Sequence, residues 1–558
     1  MERMIQTEIA VIGGGLGGVA AALAILREGR QVILTEETIW PGGQSTSQGV
    51  PPDEHRLIES CGCTALYRLY RERIRQYYRD YYPLTGEARS EKHLNPGGGS
   101  VSSICHEPKV SARVLADLLA PYVSSGRLQI LYQAKPVSAV CTDNQVRSVA
   151  LETPDGIVHL AASWFLDATE CGDLLPLTGT AYVTGRESRA DTGEDHAGAS
   201  ADPLDMQAVT WCFAVSLEAS GDFTIDKPAD YETYRKHHSA FWPGSQLSWT
   251  YANPVTLEPV EGCLEKQPGK VDLFTYRKIL GKEAFAGSFG ASEITLVNWP
   301  QNDYWLGPLF EVPEDEARRH LAGAKELSRC FLYWLQTEAP RADGGRGYPG
   351  LRLRGDALGT DDGFAMRPYI RESRRIVPMF RVLESHIGLQ MRRKALASHM
   401  LQAVHAQQTA APQTAQKPQD PRTLQPDRVT AESFADSVGI GFYRIDLHPG
   451  TGGGNYIDIE SLPFQIPLGA LIPIRTTNLL AAAKNIGTTH LTNGCYRLHP
   501  VEWNIGEAAG ACAAWCCERA MTAAQLWQQP ASLEAFRNHL RTRGVELDWP
   551  DEWRTGLC

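Results

Sequence analysis

No apolar run in this 558-residue chain reaches the roughly 18 residues that a membrane-spanning helix requires, and the longest early stretch, Val19 to Leu26, falls inside a strand-turn-helix pattern. Positive charge is short too: 54 Lys and Arg face 65 Asp and Glu, a formal net charge of −11, which argues against the basic footprint that nucleic acid or anionic lipid selects. No export signal is visible, because residues 1–7 are polar and glycines interrupt the apolar stretch that begins at Ile9. The expectation is a soluble, cytoplasmic protein with small-molecule partners and neither nucleic acid nor membrane among them. Thirteen cysteines are present, but the paired C-x-x-C spacing of tetrahedral zinc sites is missing. Cys61 and Cys63 stand too close together, and the adjacent Cys516 and Cys517 diverge by about 100° on a helix. Reduced thiols and no metal site are expected.

What the chain does contain begins at Ile9–Ile12, an apolar run typical of a buried parallel strand. Gly13-Gly-Gly-Leu-Gly-Gly18 and an Ala-rich helical stretch to Glu28 follow, and a second apolar run over 31–35 ends in Glu36 and Glu37. Together they make a compact βαβ unit. Helices are predicted over 110–122 and over 65–82, where tyrosines and arginines recur at spacings of three and four. The tyrosine face fits either a packing surface or an aromatic pocket wall. From about residue 190 the βαβ rhythm is lost and Trp, Tyr and Pro become frequent, which predicts a separate, sheet-containing unit. Residues 406–428, rich in Gln, Pro, Thr and Ala, predict a mobile insertion. A returning strand at 478–483 and a helix at 506–518 then close the first unit, and a last amphipathic helix is predicted at 530–545. The fold class read from this order is α/β: a discontinuous Rossmann-like domain over 1–190 and 431–525, an inserted α+β substrate domain over 191–430, and a helical tail over 526–558.

In the G-x-G-x-x-G pattern Gly13 makes the tight turn, Gly15 lets backbone approach a diphosphate, and Gly18 lets helix and strand pack closely. The helix N-terminus, with Leu16 and Gly17 in its first turn, supplies unpaired N–H groups and positive dipole. Glu36 is placed to accept from ribose hydroxyls and would repel a 2′-phosphate, so the adenosine of FAD or NAD fits. A second glycine turn, Pro41 to Thr46, offers Gly43, Gln44 and Ser45 to a diphosphate–ribityl chain. Asp167 ends an apolar run in a cofactor-proximal turn, and the helix predicted to open at Gly506 and Glu507 would face a flavin pyrimidine. A second strand-GxGxxG-helix unit for NAD(P)H is missing. FAD is therefore the expected cofactor, with electrons arriving from the substrate and leaving to oxygen or an external carrier.

These features resemble the FAD-dependent oxidoreductases of the glutathione-reductase-like superfamily, and more narrowly a bacterial group labelled FAD-dependent oxidoreductase or xanthan lyase. The resemblance covers most of the chain. Besides the glycine turns and Glu36, it is carried by Asp167-Ala-Thr-Glu-Cys-Gly-Asp-Leu174, Asn298-Trp-Pro-Gln-Asn-Asp-Tyr304, Pro368-Tyr-Ile-Arg-Glu-Ser-Arg-Arg375 and Arg497-Leu-His-Pro-Val-Glu-Trp-Asn-Ile-Gly-Glu507. It implies FAD and a substrate domain that interrupts the cofactor domain. It implies no substrate, and nothing in these residues speaks for lyase chemistry.

A flavin dehydrogenase needs a base for the substrate's proton and donors that hold the substrate in place. His499 is the first choice for the base, as it enters the helix proposed to face the flavin; His448 and His490 are the reserves. Arg371, with Arg374, Arg375 and Glu372, suits a carboxylate or a polarised carbonyl, or forms an internal salt-bridge network. Asn302, Asp303 and Tyr304 follow a Trp-Pro turn and are candidate substrate contacts. Cys171 is a buried thiol, a redox thiol or a flavin tether. The leading expectation is an FAD enzyme that oxidises a small polar metabolite (an alcohol, an amine or a sugar-like ring) by hydride transfer. The alternatives are a flavin monooxygenase or tailoring oxidase, and a non-catalytic flavin-binding interaction protein. Oligomeric state stays open, a homo-oligomer included.

Overall fold

A computed structural model describes residues 3–287, 289–397 and 429–555; the insertion expected at 406–428 lies outside the described residues. Strand β1 (Arg3–Ile12) buries its last four residues, all aliphatic, and β2 (Val32–Glu36) is buried throughout. Helix α1 (Leu16–Arg27) between them is buried from Leu16 to Leu26, because its glycines and alanines let sheet and neighbouring helix approach from both sides. Four more strands extend the sheet: β3 (Leu128–Tyr132), β4 (Lys135–Thr142), β5 (Gln145–Thr153) and β6 (Gly156–Asp167). The order is β3-β2-β1-β6-β5-β4, with β1 parallel to β2 and β6 and with β4, β5 and β6 joined as antiparallel neighbours.

The strand expected at 478–483 forms as β7 (Leu479–Ala481). It pairs parallel with the end of β6, Leu479 opposite Phe165 and Ala481 opposite Asp167. The later chain thus completes the sheet begun at residue 3.

Helix α2 (Ala65–Tyr81) turns Tyr67, Tyr70 and Tyr78 inward, and Tyr70 stacks on Trp503 at 5.4 Å. Its Arg71 and Arg75 are buried in ion pairs with Glu54 and Glu59. This face is therefore a packing surface. Helix α3 (Pro108–Ser124) matches the expectation at 110–122.

The helix expected at 506–518 starts earlier, as α4 (His499–Arg519), because Pro500 in its first turn favours initiation there. Gly506 lies inside α4 rather than at its head. The last amphipathic helix spans Pro530–Thr542.

The middle of the chain builds a four-stranded antiparallel sheet in the order Lys278–Leu280, Ile294–Val297, Phe213–Leu217, Leu351–Leu353. A helix over Glu314–Thr337 packs Phe331, Trp334 and Leu335 into an apolar core shared with Trp242, Trp249 and Trp299, separate from the core around β1 and α1. Among the described residues no helix is long and apolar enough to cross a membrane.

Candidate active site

The turn between β1 and α1 sits over the end of β6. Gly13 has φ +103°, a conformation that a side chain would strain, and its N–H donates to Thr35 Oγ1 at 3.0 Å. A narrow cleft opens beside it, lined by Gly13–Gly15, Glu36, Gly43, Ser47, Gln48 and Glu170. Glu36 Oε1 accepts from the Thr38 N–H (2.8 Å) and hydroxyl (2.7 Å), and burial raises its carboxyl to about 7. Gly42 and Gly43, at φ +116° and +47°, bend the second glycine turn against the first.

Gln44 and Ser45 are buried behind that turn, and Ser47 and Gln48, absent from the sequence reading, line the cleft instead. Gln44 Nε2 donates to the Arg497 carbonyl at 2.9 Å and to the Glu502 carboxylate, while its Oε1 is buried with no partner among the described residues. Asp167 holds the turn after β6 by accepting from the Thr169 N–H (3.1 Å) and hydroxyl (2.7 Å); burial raises its carboxyl to about 7. The Gly17 N–H donates to Glu502 at 3.3 Å, and Glu170 pairs with buried Lys484.

Two expected cofactor residues serve the fold instead. Gly506 is pressed against the Gly17 backbone where α4 crosses α1, and Glu507 accepts from Trp503 Nε1 at 3.2 Å next to Arg27. Leu16 and Gly18 are likewise buried, Gly18 against Gly13. The end of α4 that carries positive dipole is at His499, six residues after Asn493 and beside Gln44 through the Arg497 carbonyl.

A second cavity, about 320 Å³, lies between the middle sheet and the later chain. Arg277, Asn298, Tyr369, Arg371, His448 and Arg497 are among its lining. Cleft and cavity are neighbours along two segments. Arg367 lines the cleft and Tyr369 the cavity, two residues and so at most about 7 Å of backbone apart. Gln48 lines the cleft and Asp53, five residues on, lines the cavity.

Behind the cavity wall formed by His448 and Arg371, His448 Nδ1 meets Asp303 Oδ2 at 2.5 Å, and Asp303 Oδ1 meets Arg371 Nη2 at 3.1 Å and the Thr210 hydroxyl. The pairing places an imidazole proton on Nδ1, and Nε2 lies 3.9 Å from Asp446 Oδ2. Neighbouring charges hold the Asp303 carboxyl below the usual range against the opposing effect of burial. Arg497 donates to the Tyr369 hydroxyl at 2.6 Å and to Asp446 Oδ2 at 3.2 Å.

Of the expected catalytic residues, Arg371 and His448 are thus brought together through Asp303. Asn302 and Tyr304 are not in the cavity: Asn302 accepts from the Trp299 N–H at 2.9 Å, and the Tyr304 hydroxyl bonds His320 Nδ1 at 2.8 Å. Asn302 ends a short 3-10 turn over Pro300–Asn302, and Tyr304, next to Asp303 in an extended pair, takes the opposite face. His499 is also outside the cavity lining. Its Nδ1 accepts from the Asp53 N–H at 3.1 Å, the Val50 carbonyl lies beside the ring, and burial lowers it to about 4, which makes it a weak base. His490 and Arg375 share buried Glu372. Burial pushes the Cys171 thiol well up, away from thiolate chemistry.

The residues around the cleft suit a dinucleotide: a glycine turn at a helix N-terminus, where a Cβ on Gly15 would meet only the side-chain ends of Glu170 and Glu502, and an acid at the end of β2. A protein of this build is a dinucleotide-dependent oxidoreductase. The chain matches the family model described as FAD dependent oxidoreductase over residues 8–540 and belongs to that family; it is an FAD-dependent enzyme.

No curated protein matches it. Among solved structures it is similar to a variant of the E. coli quinol fumarate reductase FrdA, at 11% identity and TM-score 0.34 over 97% of this chain and 74% of that one. It is similar to p-nitrophenol 4-monooxygenase PnpA from Pseudomonas putida DLL-E4 at 13% identity and TM-score 0.27, over 73% and 82% of the two chains. With L-proline dehydrogenase from P. horikoshii the values are 15% and 0.17, over 34% of this chain and 26% of that chain.

Proposed function

We propose that this enzyme oxidises a small polar metabolite at a carbon bearing a hydroxyl, in the cavity around His448, and passes the electrons to oxygen or an external acceptor. Bound FAD supplies a two-electron acceptor for the hydride that leaves the substrate carbon. His448 takes the hydroxyl proton on Nε2, while Asp303 fixes the ring's tautomer and offsets the positive charge that develops on it. Arg371 holds Asp303 in place, and the Ala208 carbonyl, accepting from Arg371 Nη1 at 2.8 Å, holds Arg371. The observation that carries this reading is the short path from cleft to cavity through Arg367 and Tyr369.

The test is anaerobic mixing of the yellow protein with metabolite pools, following loss of the oxidised flavin band. Reduction by a metabolite supports the reading; reduction by NAD(P)H alone points to a monooxygenase instead. With a reducing metabolite in hand, His448→Asn is expected to slow flavin reduction by about 100-fold or more with FAD still bound. An unchanged rate removes His448 from the role.

A further inference from the structure

The charges around the cavity cancel. Four guanidinium groups each meet a carboxylate: Arg277 with Asp53 at 3.3 Å, Arg371 with Asp303 at 3.1 Å, Arg497 with Asp446 at 3.2 Å, and Arg444 with Asp458. A substrate carboxylate would enter a site whose cations are already matched, and would have to displace an aspartate. A neutral ligand with hydroxyls meets no such obstacle, because aspartate oxygens accept from its O–H groups while donors bind its oxygens. Such donors are present. Asn298 Nδ2, Trp299 Nε1 and the Nε groups of Arg277, Arg371 and Arg497 are all buried with no hydrogen-bond partner among the described residues, on residues that line the cavity. Tyr251, Tyr276, Trp299 and Tyr456 add aromatic faces to the same walls. Flat aromatic surface alternating with charged pairs matches a ring with C–H faces and a polar rim. The volume of about 320 Å³ is at the small end for ligand pockets, which limits the occupant to about one ring.

We infer that the substrate is a neutral polyhydroxylated ring, a monosaccharide or cyclitol, bound through the aspartate–arginine pairs and aromatic walls of this cavity. The inference rests on the reading of the cavity as the substrate site. The probes are a panel of methyl pyranosides and inositols, D-glucuronate as the carboxylate-bearing ring, and cyclohexanol as the ring with one hydroxyl. Calorimetric titration of the full-length, FAD-loaded protein is expected to show saturable binding of at least one neutral polyol, tenfold or more tighter than D-glucuronate, and no binding of cyclohexanol.

Asp446→Asn leaves Arg497 unmatched and is expected to shift the preference toward D-glucuronate by at least tenfold, an inversion that mere loss of packing would not produce. Asp458→Asn, which takes one carboxylate from Arg444 in the same cavity wall, serves if the first variant does not fold. Glucuronate binding as tightly as every neutral ring, or no neutral ring binding at all, overturns the inference. Because the readout is heat of binding, the two ideas fail separately. A protein bleached by an unrelated metabolite but blind to polyols keeps the oxidoreductase reading and loses this one; a protein that binds a polyol but is reduced by no metabolite keeps the ligand class and loses the polyol as substrate.

Discussion

Replacing Gly506 with alanine tests the helix crossing on which the cofactor cleft is built. The backbone there accepts alanine, and in an exposed helix the change would favour folding by about 0.5–1 kcal/mol. Here the new Cβ would stand 1.9 Å from the Gly17 carbonyl oxygen and 2.5 Å from the Gly17 Cα, well inside the 3.4 Å at which ordinary contact begins. Both neighbours are backbone, so relief requires α1 and α4 to part by more than an ångström along a crossing where Gly510 is also pressed on Ala21. Overpacking typically costs about 1–3 kcal/mol, which outweighs the propensity gain. The first turn of α1 would move with the helix, so FAD should be released as well.

The melting temperature of the FAD-free protein should fall by about 1–3 °C, and fluorescence of free flavin should show weaker retention. Gly15→Val is the contrast. Its Cβ would meet only side-chain ends, Glu170 Oε1 at 2.9 Å and Glu502 Oε1 at 3.3 Å, so FAD-free stability should stay close to that of the parent while FAD binding is lost. A Gly506→Ala protein that melts no lower than the parent and stays yellow would refute the crossing as described.

Lys484→Met leaves Glu170 and Glu502 without their buried cation; an uncompensated buried charge costs about 3–5 kcal/mol, visible by urea denaturation, and Glu170→Gln in the same chain should restore part of it. Glu507 offers a pH test. Burial raises its folded-state carboxyl to about 7 from 4.5, so its ionisation costs stability as pH rises through that window; Glu507→Gln should match the parent at pH 4 and exceed it at pH 8 in melting experiments. Equal stabilities at both pH values would contradict the burial.

The βαβ unit was legible because every signal in it is local: an aliphatic strand, a turn that needs glycine at Gly13, and an acid at the end of the next strand. The start of α4 was misread for a related reason. Gly506 and Gly510 look like another glycine turn, yet they are small because a second helix presses on them, a contact across almost 500 residues that spacing cannot reveal. In the same way Asn302, Asp303 and Tyr304 are equal candidates in sequence, and the change from a 3-10 turn to an extended pair at Asp303 leaves it alone in contact with His448 and Arg371. The pairing of His448 with Asp303 spans 145 residues and left no local mark.

The charges at the first turn of α1 lead to one more expectation. That turn is suited to a diphosphate, yet Glu170 and Glu502 both lie within reach of Gly15, and Lys484 is held between them. Burial already raises the Glu502 carboxyl, and raises Glu36 at the end of β2 to about 7. A diphosphate brings further negative charge to the same place, which favours the protonated form of these acids and draws Lys484 away from Glu170. The complex then holds more protons than the free protein, so FAD affinity should rise as pH falls through and below neutrality. Calorimetric titration of the FAD-free protein in two buffers of different ionisation heat reads the proton count directly. Uptake of a measurable fraction of a proton is expected, and it should shrink in Glu502→Gln. Proton release on binding, or affinity that strengthens as pH rises, would show that the carboxylates do not face the diphosphate.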